Sequence, residues 1–307
     1  MKVAVLKGGG SLERQVSLRS GARVEYALET LGHRVAAIDV GPTLINDLRE
    51  ADPDVAFVAL HGPGGEDGTI QELLELLGIP YTSPRPAACM RCLDKVLAKH
   101  ELRAAGVATP DSVTLSATAI HELGAALALS EVEERLGFPL VVKPATQGSA
   151  LGISFAASRE DVPRALLAGL SYDDRVLLER HVEGRELAVG ILDGAVLPPV
   201  EVIPEGDRYD YASRYDIGAS TYVCPAPLAD DELAAIENAA RTIWSTFGLS
   251  GFSRVDMLLG DNGPEVIEVE AIPGLTDTSL FPLAADAAGL PFEDLCARIL
   301  EIATAHA

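Results

Sequence analysis

The sequence predicts a chain of mixed α/β and α+β class with two or three domains. Short apolar strands alternate with amphipathic helices in the first third, which is typical of an open α/β domain. The last third contains a predicted β-hairpin, residues 253–270, whose strands carry charges where a plain hairpin would be apolar. At 307 residues, the chain is also longer than one hydrophobic core usually organises.

Composition argues against several kinds of protein. Hydrophobic residues make up 48% of the chain, yet no run of about 18 apolar residues predicts a transmembrane helix. The formal net charge of −22 argues against nucleic acid or an anionic membrane as a partner. Of the four cysteines, only Cys89 and Cys92 are close in sequence, which fits reduced thiols better than zinc ligands. We therefore expect a cytoplasmic protein whose first residues form a strand rather than a signal peptide.

The first third is expected to place a ligand site at one edge of a sheet. Strands are predicted at residues 3–6, 34–40 and 55–60, and helices at 17–31 and 71–77. Glycine-rich loops follow the first and third strands, at residues 8–11 and 61–68. In open α/β sheets such loops mark the edge where ligands bind. Neither loop has the spacing of a dinucleotide-binding fingerprint.

A second unit is expected after Pro84 and Pro86. A helix is predicted at 94–105, a strand at 139–144 that contains Lys143, a helix from 158 to 170 with a capping box, and a strand at 176–180. The loop at 145–152 is small, flexible and hydroxyl-bearing. It fits either a phosphate clamp beside Lys143 or a plain flexible turn.

The remaining segments are predicted to form sheet, a loop and helices. A hairpin is expected from strands at 185–192 and 195–203, turning at Asp193 and Gly194. Residues 208–223 have few apolar side chains besides tyrosines and are expected to form a long loop or lid. Helices are predicted at 230–247 and 292–303.

The charged hairpin places acidic side chains on one face. If its turn centres on Asn262, Asp256 lies opposite Glu268 and Arg254 lies opposite Glu270. Carboxylates this close repel one another unless a cation joins them, and oxygen ligands suit Mg²⁺. A solvated face with ordinary cross-strand ion pairs fits the same pattern.

Many spaced motifs resemble those of one family. The chain resembles the ATP-grasp fold and, within it, the D-alanine–D-alanine ligases. The motifs that carry the resemblance are Gly8-Gly9 with Ser11, Glu13-Arg14 and Val16-Ser17, HGPGGEDGTIQ at 61–71, GIPYTS at 78–83, Lys95, Lys143-Pro144, Gly148-Ser149, YDYASRY at 209–215, Arg254 with Asp256 and Glu268, and PGLTDTSLFP at 273–282. The resemblance implies an N-terminal open parallel α/β domain at 1–86 and two ATP-grasp lobes at 87–182 and 183–307. It also implies ligation of two D-alanines with ATP, through an acyl phosphate, for peptidoglycan synthesis, by a homodimer.

The resemblance implies a role for each matching position. Lys95, Lys143 and Arg214 would bind phosphate, Glu179, Arg180, Val182 and Glu186 would hold adenine and ribose, and Asp256, Glu268 and Glu270 would hold two Mg²⁺ (or Mn²⁺) ions. Arg254 and the Gly274 amide would stabilise the transferring oxygens. Glu13 would hold the first ammonium together with Ser149 and Tyr215, beside His61, and Ser279 and Leu280 would receive the second carboxylate.

Four positions depart from the family pattern. Glu270 and Ala271 stand where the family has Asn and Thr, Arg214 replaces a lysine, Ala150 a serine and Glu72 a glycine. A related ligase with another carboxylate or amine substrate, or an ATP-binding protein without ligase activity, is therefore kept as an alternative. Glu270 could pair with Arg254 or bind the second ion and leave Arg254 available; we favour the second outcome.

Overall fold

The computed structural model describes residues 1–124, 129–204 and 220–305. The strands are Lys2–Lys7 (β1), Arg34–Asp39 (β2), Val55–Val58 (β3), Ser112–Ser116 (β4), Leu140–Pro144 (β5), Ser154–Ala156 (β6), Arg175–Arg180 (β7), Arg185–Leu192 (β8), Ala195–Val196 (β9), Val200–Pro204 (β10), Ser220–Val223 (β11), Phe252–Gly260 (β12) and Gly263–Glu270 (β13). The helices are Arg14–Thr30 (α1), Leu44–Ala51 (α2), Thr69–Leu77 (α3), Pro86–Leu93 (α4), Lys95–Ala104 (α5), Ala117–His121 (α6), Leu129–Leu136 (α7), Val162–Leu170 (α8), Asp230–Phe247 (α9), Leu280–Ala287 (α10) and Phe292–Ala305 (α11).

The first sheet is parallel, with strand order β2-β1-β3. The four central residues of β1 are fully buried, because helices cover a parallel sheet on its faces. The expected alternation of strands and helices in this part of the chain is confirmed. Helix α1 begins at Arg14, three residues before the predicted start, so Glu13 stands at its N-terminus.

The second sheet is antiparallel, with strand order β4-β7-β5-β6. It has its own core, which includes Leu140 and Val142 from β5 and Leu166 from α8. Helices α4 and α5 instead pack into the larger core through residues such as Cys89 and Leu102. The domain boundaries expected at 86 and 182 stay a prediction.

The third sheet has strand order β11-β10-β8-β12-β13, with β9 paired to β8. The described part of this sheet is antiparallel and shares the larger core with the first sheet, α9, α10 and α11. The predicted hairpin at 185–203 is interrupted between β9 and β10 by Leu197, Pro198 and Pro199. Proline has no N–H to donate to a strand ladder.

One predicted loop is partly a strand. Residues 220–223 form β11, which pairs with β10, so the expectation of a loop running to residue 223 is wrong at its end. Thr221 and Tyr222 have side chains that favour strands, but the polar sequence before them gives no alternation from which a strand could be predicted. Residues 205–219 lie outside the described residues, so the expected lid is not described beyond β11.

The charged hairpin has the expected pairing at the end that lies away from its turn. Arg254 is opposite Glu270 and Asp256 is opposite Glu268. Next to the turn, however, Gly260 pairs with Gly263, which fixes a two-residue turn and would place Asp256 opposite Ile267. A shift of register between Asp256 and Met257 accommodates one extra residue in β13. This bulge returns Glu268 and Glu270 to the side of the sheet that carries Arg254 and Asp256.

Within the described ranges, no helix combines the length and the apolar character needed to cross a membrane.

Candidate active site

A cavity lies where the three sheets approach one another. Its walls come from the N-terminal segment, from the loop after β5, and from β13 with the segment that follows it. The residues that line it include Glu13, His61, Glu66, Cys92, Gly148, Ser149, Arg254, Glu268, Glu270, Gly274, Thr278, Ser279 and Leu280. Residues far apart in sequence therefore share one site.

Glu13 is the acidic group of the N-terminal wall. Its side chain is buried, and Ser149 donates a hydrogen bond from Oγ to Glu13 Oε2. Glu13 Oε1 has no hydrogen-bond partner among the described residues. Burial, followed by the nearby charge of Glu66, raises the pKa of Glu13 to about 7. A buried carboxylate oxygen without a partner is suited to receive a cationic donor.

Two glycines are required beside this carboxylate. A Cβ at Gly148 would lie 2.5 Å from Glu13 Oε1, and one at Gly62 would lie 2.8 Å from it. Gly62 also has a φ of 71°, in the left-handed region that favours glycine. The two glycines leave room around the carboxylate that any other residue would fill.

His61 is held by the protein at both ring nitrogens. Nδ1 lies 3.2 Å from the carbonyl oxygen of Ile272, so it is the donor, and Nε2 lies 3.0 Å from Ser20 Oγ. Burial lowers the pKa of His61, which favours the neutral ring. His61 thus connects the loop after β3 to α1 and to the segment after β13, and it faces the cavity as part of the wall.

The hairpin contributes a cluster of charges. Arg254 donates to Asp256 from Nε at 2.6 Å and from Nη2 at 2.9 Å, and it donates from Nη2 to Glu270 Oε1 at 2.5 Å. Oxygens of Asp256, Glu268 and Glu270 lie within 4.8 Å of one another. The structure therefore contains the Arg254–Glu270 pair and, in the same place, a set of three carboxylates whose spacing and chemistry fit a hard cation.

Lys95 connects this cluster to the second sheet. Asp94 caps α5 by accepting from the backbone N–H groups of Val96 and Leu97, which fixes the start of the helix. Lys95 Nζ then lies 2.6 Å from Glu268 Oε1 and donates to the Gln147 carbonyl oxygen at 2.6 Å. The Lys95 ammonium group thereby contacts both the carboxylate cluster of the hairpin and the loop at residues 145–152.

A second lysine follows one helical turn later. Lys99 Nζ lies 2.6 Å from Glu179 Oε2, and Lys143 Nζ lies 2.7 Å from Glu179 Oε1. Burial raises the pKa of Glu179, but the two ammonium groups outweigh it and lower the pKa below its ordinary value. Burial lowers the pKa of Lys99 to about 8. Glu179 and its two cations form a buried triad.

The triad lies against a cleft of about 460 Å³ between the second and third sheets. Lys143, Glu179, Arg180, Val182 and Glu186, all predicted to contact a nucleotide, line this cleft. Arg180 also donates to both Glu265 oxygens on β13, at 3.0 and 2.8 Å, which ties the two sheets together. The structure thus brings these five residues into one place, whereas Lys95 lies outside the lining of this cleft.

The segment after β13 forms the opposite wall of the cavity. Thr276 donates from its backbone N–H to Ser279 Oγ at 2.9 Å, and Ser279 N–H donates to the Thr276 carbonyl oxygen at 3.1 Å. This tight turn leads into α10, which begins at Leu280. A Cβ at Gly274 would lie 2.9 Å from Ser279 Oγ, so this close approach favours glycine.

Comparison with known proteins identifies the family. The profile of the D-ala D-ala ligase N-terminus matches residues 42–84, and that of the D-ala D-ala ligase C-terminus matches residues 102–301. The D-alanine–D-alanine ligase of Syntrophotalea carbinolica is 42% identical over 299 residues, which cover 97% of this chain and 95% of the relative. The chain belongs to the D-alanine–D-alanine ligase family. The ligase of Gloeobacter violaceus is also 42% identical, over 98% of this chain and 99% of its own.

Solved structures of the family have the same fold. The D-alanine–D-alanine ligase of Bacillus anthracis superposes with a TM-score of 0.88 at 32% identity, covering 100% of this chain and 98% of its own. The structure of that ligase complexed with ATP superposes with a TM-score of 0.86 at 32% identity, covering 100% of this chain and 97% of its own. The VanG D-Ala:D-Ser ligase of Enterococcus faecalis gives 0.81 at 27% identity, covering 98% of each chain. The ATP-grasp fold expected from the sequence is therefore confirmed.

Most of the predicted site residues lie among those that the structure describes. Glu13, Ser149, Arg254, Glu268 and Glu270 meet in one cavity, whereas Arg214 and Tyr215 lie outside the described residues. Sequence reasoning missed Glu66, which lines the cavity, and Lys99, which completes the buried triad. Lys99 could have been found, because it stands four residues after Lys95 on a predicted helix and therefore shares its face.

Proposed function

We propose that this chain joins two D-alanine molecules into D-alanyl-D-alanine and converts ATP to ADP and phosphate. One arrangement carries the proposal: the buried Glu13 Oε1, which has no hydrogen-bond partner among the described residues, shares a cavity with the guanidinium group of Arg254 on the hairpin. An amino acid has an ammonium group at one end and a carboxylate at the other. The cavity offers a partner of opposite charge for each end.

In this proposal Glu13 binds the ammonium of the first D-alanine. Ser149 holds Glu13 through its other oxygen, so the side chain is positioned before substrate arrives. The substrate carboxylate then points toward Arg254. Its oxygen attacks the γ-phosphorus of ATP, the bond from that phosphorus to the bridging oxygen breaks, and ADP leaves with the electron pair. An acyl phosphate forms.

The second D-alanine then attacks the acyl phosphate. Its neutral amine attacks the acyl carbon, the carbon–oxygen bond to phosphate breaks, phosphate leaves with the electron pair, and the amine loses one proton. Arg254 and the Gly274 N–H are proposed to stabilise the developing negative oxygens. Ser279 and the backbone of Leu280 receive the carboxylate of the second D-alanine and fix the direction of its amine.

Nucleotide binding is proposed at the cleft between the second and third sheets. Lys143 and Lys95 bind the phosphate oxygens, with Arg214. Glu186, Val182 and Arg180 hold the ribose and the adenine. Glu179 is proposed to act near the adenine as well, and its ion pair with Lys143 sets the direction of that ammonium group.

Two Mg²⁺ or Mn²⁺ ions are proposed at the hairpin. Asp256, Glu268 and Glu270 would hold them, because three carboxylates within 4.8 Å offer only oxygen ligands. When bound, the ions would supply positive charge that neutralises the phosphates.

A ligase with another amine substrate is the second candidate function. Two observations favour it: Glu270 is paired with Arg254, and the VanG D-Ala:D-Ser ligase shares the fold. The proposed cellular setting is the cytoplasm, the proposed assembly is a homodimer, and the proposed role is peptidoglycan precursor synthesis. The proposed domains are residues 1–86, 87–182 and 183–307.

Phosphate release tests the proposal. The purified chain is incubated with ATP and Mg²⁺, with D-alanine, with L-alanine or with no amino acid, and phosphate and dipeptide are measured together. We expect one phosphate per dipeptide with D-alanine, and little phosphate in the other two reactions. Phosphate release that does not depend on D-alanine would refute ligation of this substrate. Release with D-alanine and D-serine together, giving mainly the mixed dipeptide, would support the second candidate.

A further inference from the structure

Arg23 on α1 makes an unusual set of contacts with the wall of the active site. Its Nη1 donates to the Leu275 carbonyl oxygen at 3.2 Å and to the Thr276 carbonyl oxygen at 2.9 Å. Its Nε lies 3.0 Å from Asp277 Oδ1, and its Cζ lies 3.7 Å from the centre of the Phe292 ring. One guanidinium group thus contacts three consecutive residues of the turn before Ser279.

These contacts are made on the back of the turn, away from the cavity. Gly274, Thr278 and Ser279 line the cavity, whereas Leu275 and Thr276 are buried behind it. The Thr276 carbonyl oxygen accepts from Arg23 and also from the Ser279 N–H, which closes the turn. Arg23 therefore acts on the same carbonyl that fixes where Ser279 stands.

Ser20 supports the same segment from one helical turn earlier. Its hydroxyl accepts from the Leu275 N–H at 3.1 Å and lies 3.0 Å from His61 Nε2. Because residues three apart share a face of a helix, Ser20 and Arg23 present one surface of α1 to the turn. Phe292 limits the movement of the guanidinium, since its ring lies under the guanidinium carbon in a cation–π contact.

We propose that Arg23 is a positioning residue that sets the subsite for the second, amine-bearing amino acid. This inference rests on the proposed function and adds a determinant of acceptor affinity and acceptor size. Arg23 does not reach the substrate. It fixes the turn whose other side, at Gly274 and Ser279, receives the acceptor carboxylate. The ion pair with Asp277 contributes little, because the Asp277 side chain is 91% exposed. The two bonds to backbone carbonyls carry the effect.

Kinetic constants for each substrate test the proposal. The variants are Arg23→Met, which removes the guanidinium, Arg23→Lys, and Asp277→Asn. The matched control is Arg298→Met, because Arg298 is a half-exposed arginine paired with Asp193 and Glu301, none of which lines the cavity. We expect Arg23→Met to raise the half-saturation concentration of the acceptor by about tenfold, because the two charge-assisted hydrogen bonds that hold the turn are lost while the substrate's own contacts remain. Half-saturation for ATP and for the first D-alanine should stay within about twofold.

Acceptor choice gives a second readout. With D-alanine and D-serine competing, Arg23→Met should form a larger share of the mixed dipeptide, because a looser turn admits one more hydroxyl group. Arg23→Lys should lie between wild type and Arg23→Met, and Asp277→Asn should match wild type. If the wild type ligates, two results for Arg23→Met would overturn the proposal. One is an equal increase in half-saturation concentration for all three substrates, and the other is an unchanged half-saturation concentration for the acceptor.

Hydrogen–deuterium exchange separates this inference from the proposed function. Exchange of the amides in residues 275–283 is measured without turnover, in wild type, Arg23→Met and Arg298→Met. We expect faster exchange only in Arg23→Met. Unchanged exchange would refute the role of Arg23 even if dipeptide forms. Absence of dipeptide from wild type, with faster exchange in Arg23→Met, would refute the ligase activity but still support the role of Arg23 in fixing the turn.

Discussion

Glu270 is the departure from the family pattern with the clearest physical consequence. It pairs with Arg254 at 2.5 Å, and its oxygen also lies within 4.8 Å of oxygens from Asp256 and Glu268. At 4.8 Å and an effective dielectric constant of about 20, two unit charges interact by about 3.5 kcal/mol. Repulsion among the three carboxylates therefore favours a bound cation, and the ion pairs that Arg254 makes with Asp256 and Glu270 and Lys95 makes with Glu268 offset part of it.

Glu270→Asn removes one negative charge and keeps an oxygen ligand. We expect binding of Mn²⁺ to weaken by about tenfold, or about 1.4 kcal/mol. This loss of binding free energy is smaller than the repulsion between two carboxylates, because the substitution also breaks the ion pair between residue 270 and Arg254. The rate at saturating cation should gain little. Glu270→Ala should lose most of the response to Mg²⁺, because it removes the ligand as well as the charge.

Two measurements check this prediction. Electron paramagnetic resonance of free Mn²⁺ gives the affinity without turnover, and ligation rate against Mg²⁺ concentration gives the functional response. Glu265→Gln, on the same strand and paired with Arg180 instead, controls for loss of charge on β13. A rise of tenfold or more in the rate of Glu270→Asn, about 1.4 kcal/mol in the barrier, would show that Glu270 restrains Arg254 and refute the reasoning.

Three further predictions concern buried charges. Glu13→Gln should raise the half-saturation concentration of the first D-alanine by about tenfold or more and leave that of ATP unchanged, and equal losses would indicate a structural role. The pKa of Glu13 is raised to about 7, so its contribution to stability is present below pH 4.5 and is lost as pH rises through about 7. Glu13→Gln should therefore melt at a higher temperature than wild type at pH 8 but not at pH 4, and an identical difference at both would contradict the pKa. Lys99→Met should reduce the free energy of unfolding by about 3 kcal/mol in urea titrations, because buried Glu179 loses one of its cations, and Glu179→Gln in the same variant should restore part of it.

Apolar spacing in the sequence was enough to predict the first sheet and the longer helices, whereas the shorter helices α2, α4, α6, α7 and α10 were not predicted. The run from Val3 to Leu6 and the helix at 230–247 were both predictable, because apolar spacing and turn residues agree there. The register that places Arg254 opposite Glu270 was also predicted, but through an assumed turn centre, and the ion pair between the two side chains was the less favoured of the two expected outcomes. The observed turn has two residues, and the bulge near Ile267 restores the face. Neither feature has a clear signal in the alternation of the strand.

Long-range contacts account for what the sequence did not reveal. Arg23 reads as an ordinary charge on an amphipathic helix, and its role depends on a turn more than 250 positions later in the chain. Glu66 lies within a motif that the sequence analysis named, but its burial in the wall of the cavity depends on tertiary packing. Residues 220–223 pair with β10 although their flanking sequence is polar, since tertiary pairing overrides local propensity in sheets.

The central claim is ligation of two D-alanines through an acyl phosphate, and isotope transfer tests it most directly. D-alanine labelled with ¹⁸O in both carboxylate oxygens is incubated with ATP, Mg²⁺ and the chain, and the released phosphate is examined by mass spectrometry. Because the attacking carboxylate oxygen leaves with phosphate, we expect one ¹⁸O atom in each phosphate and dipeptide in equal amount. Dipeptide accompanied by unlabelled phosphate would contradict the acyl phosphate, and labelled phosphate without dipeptide would contradict the proposed acceptor.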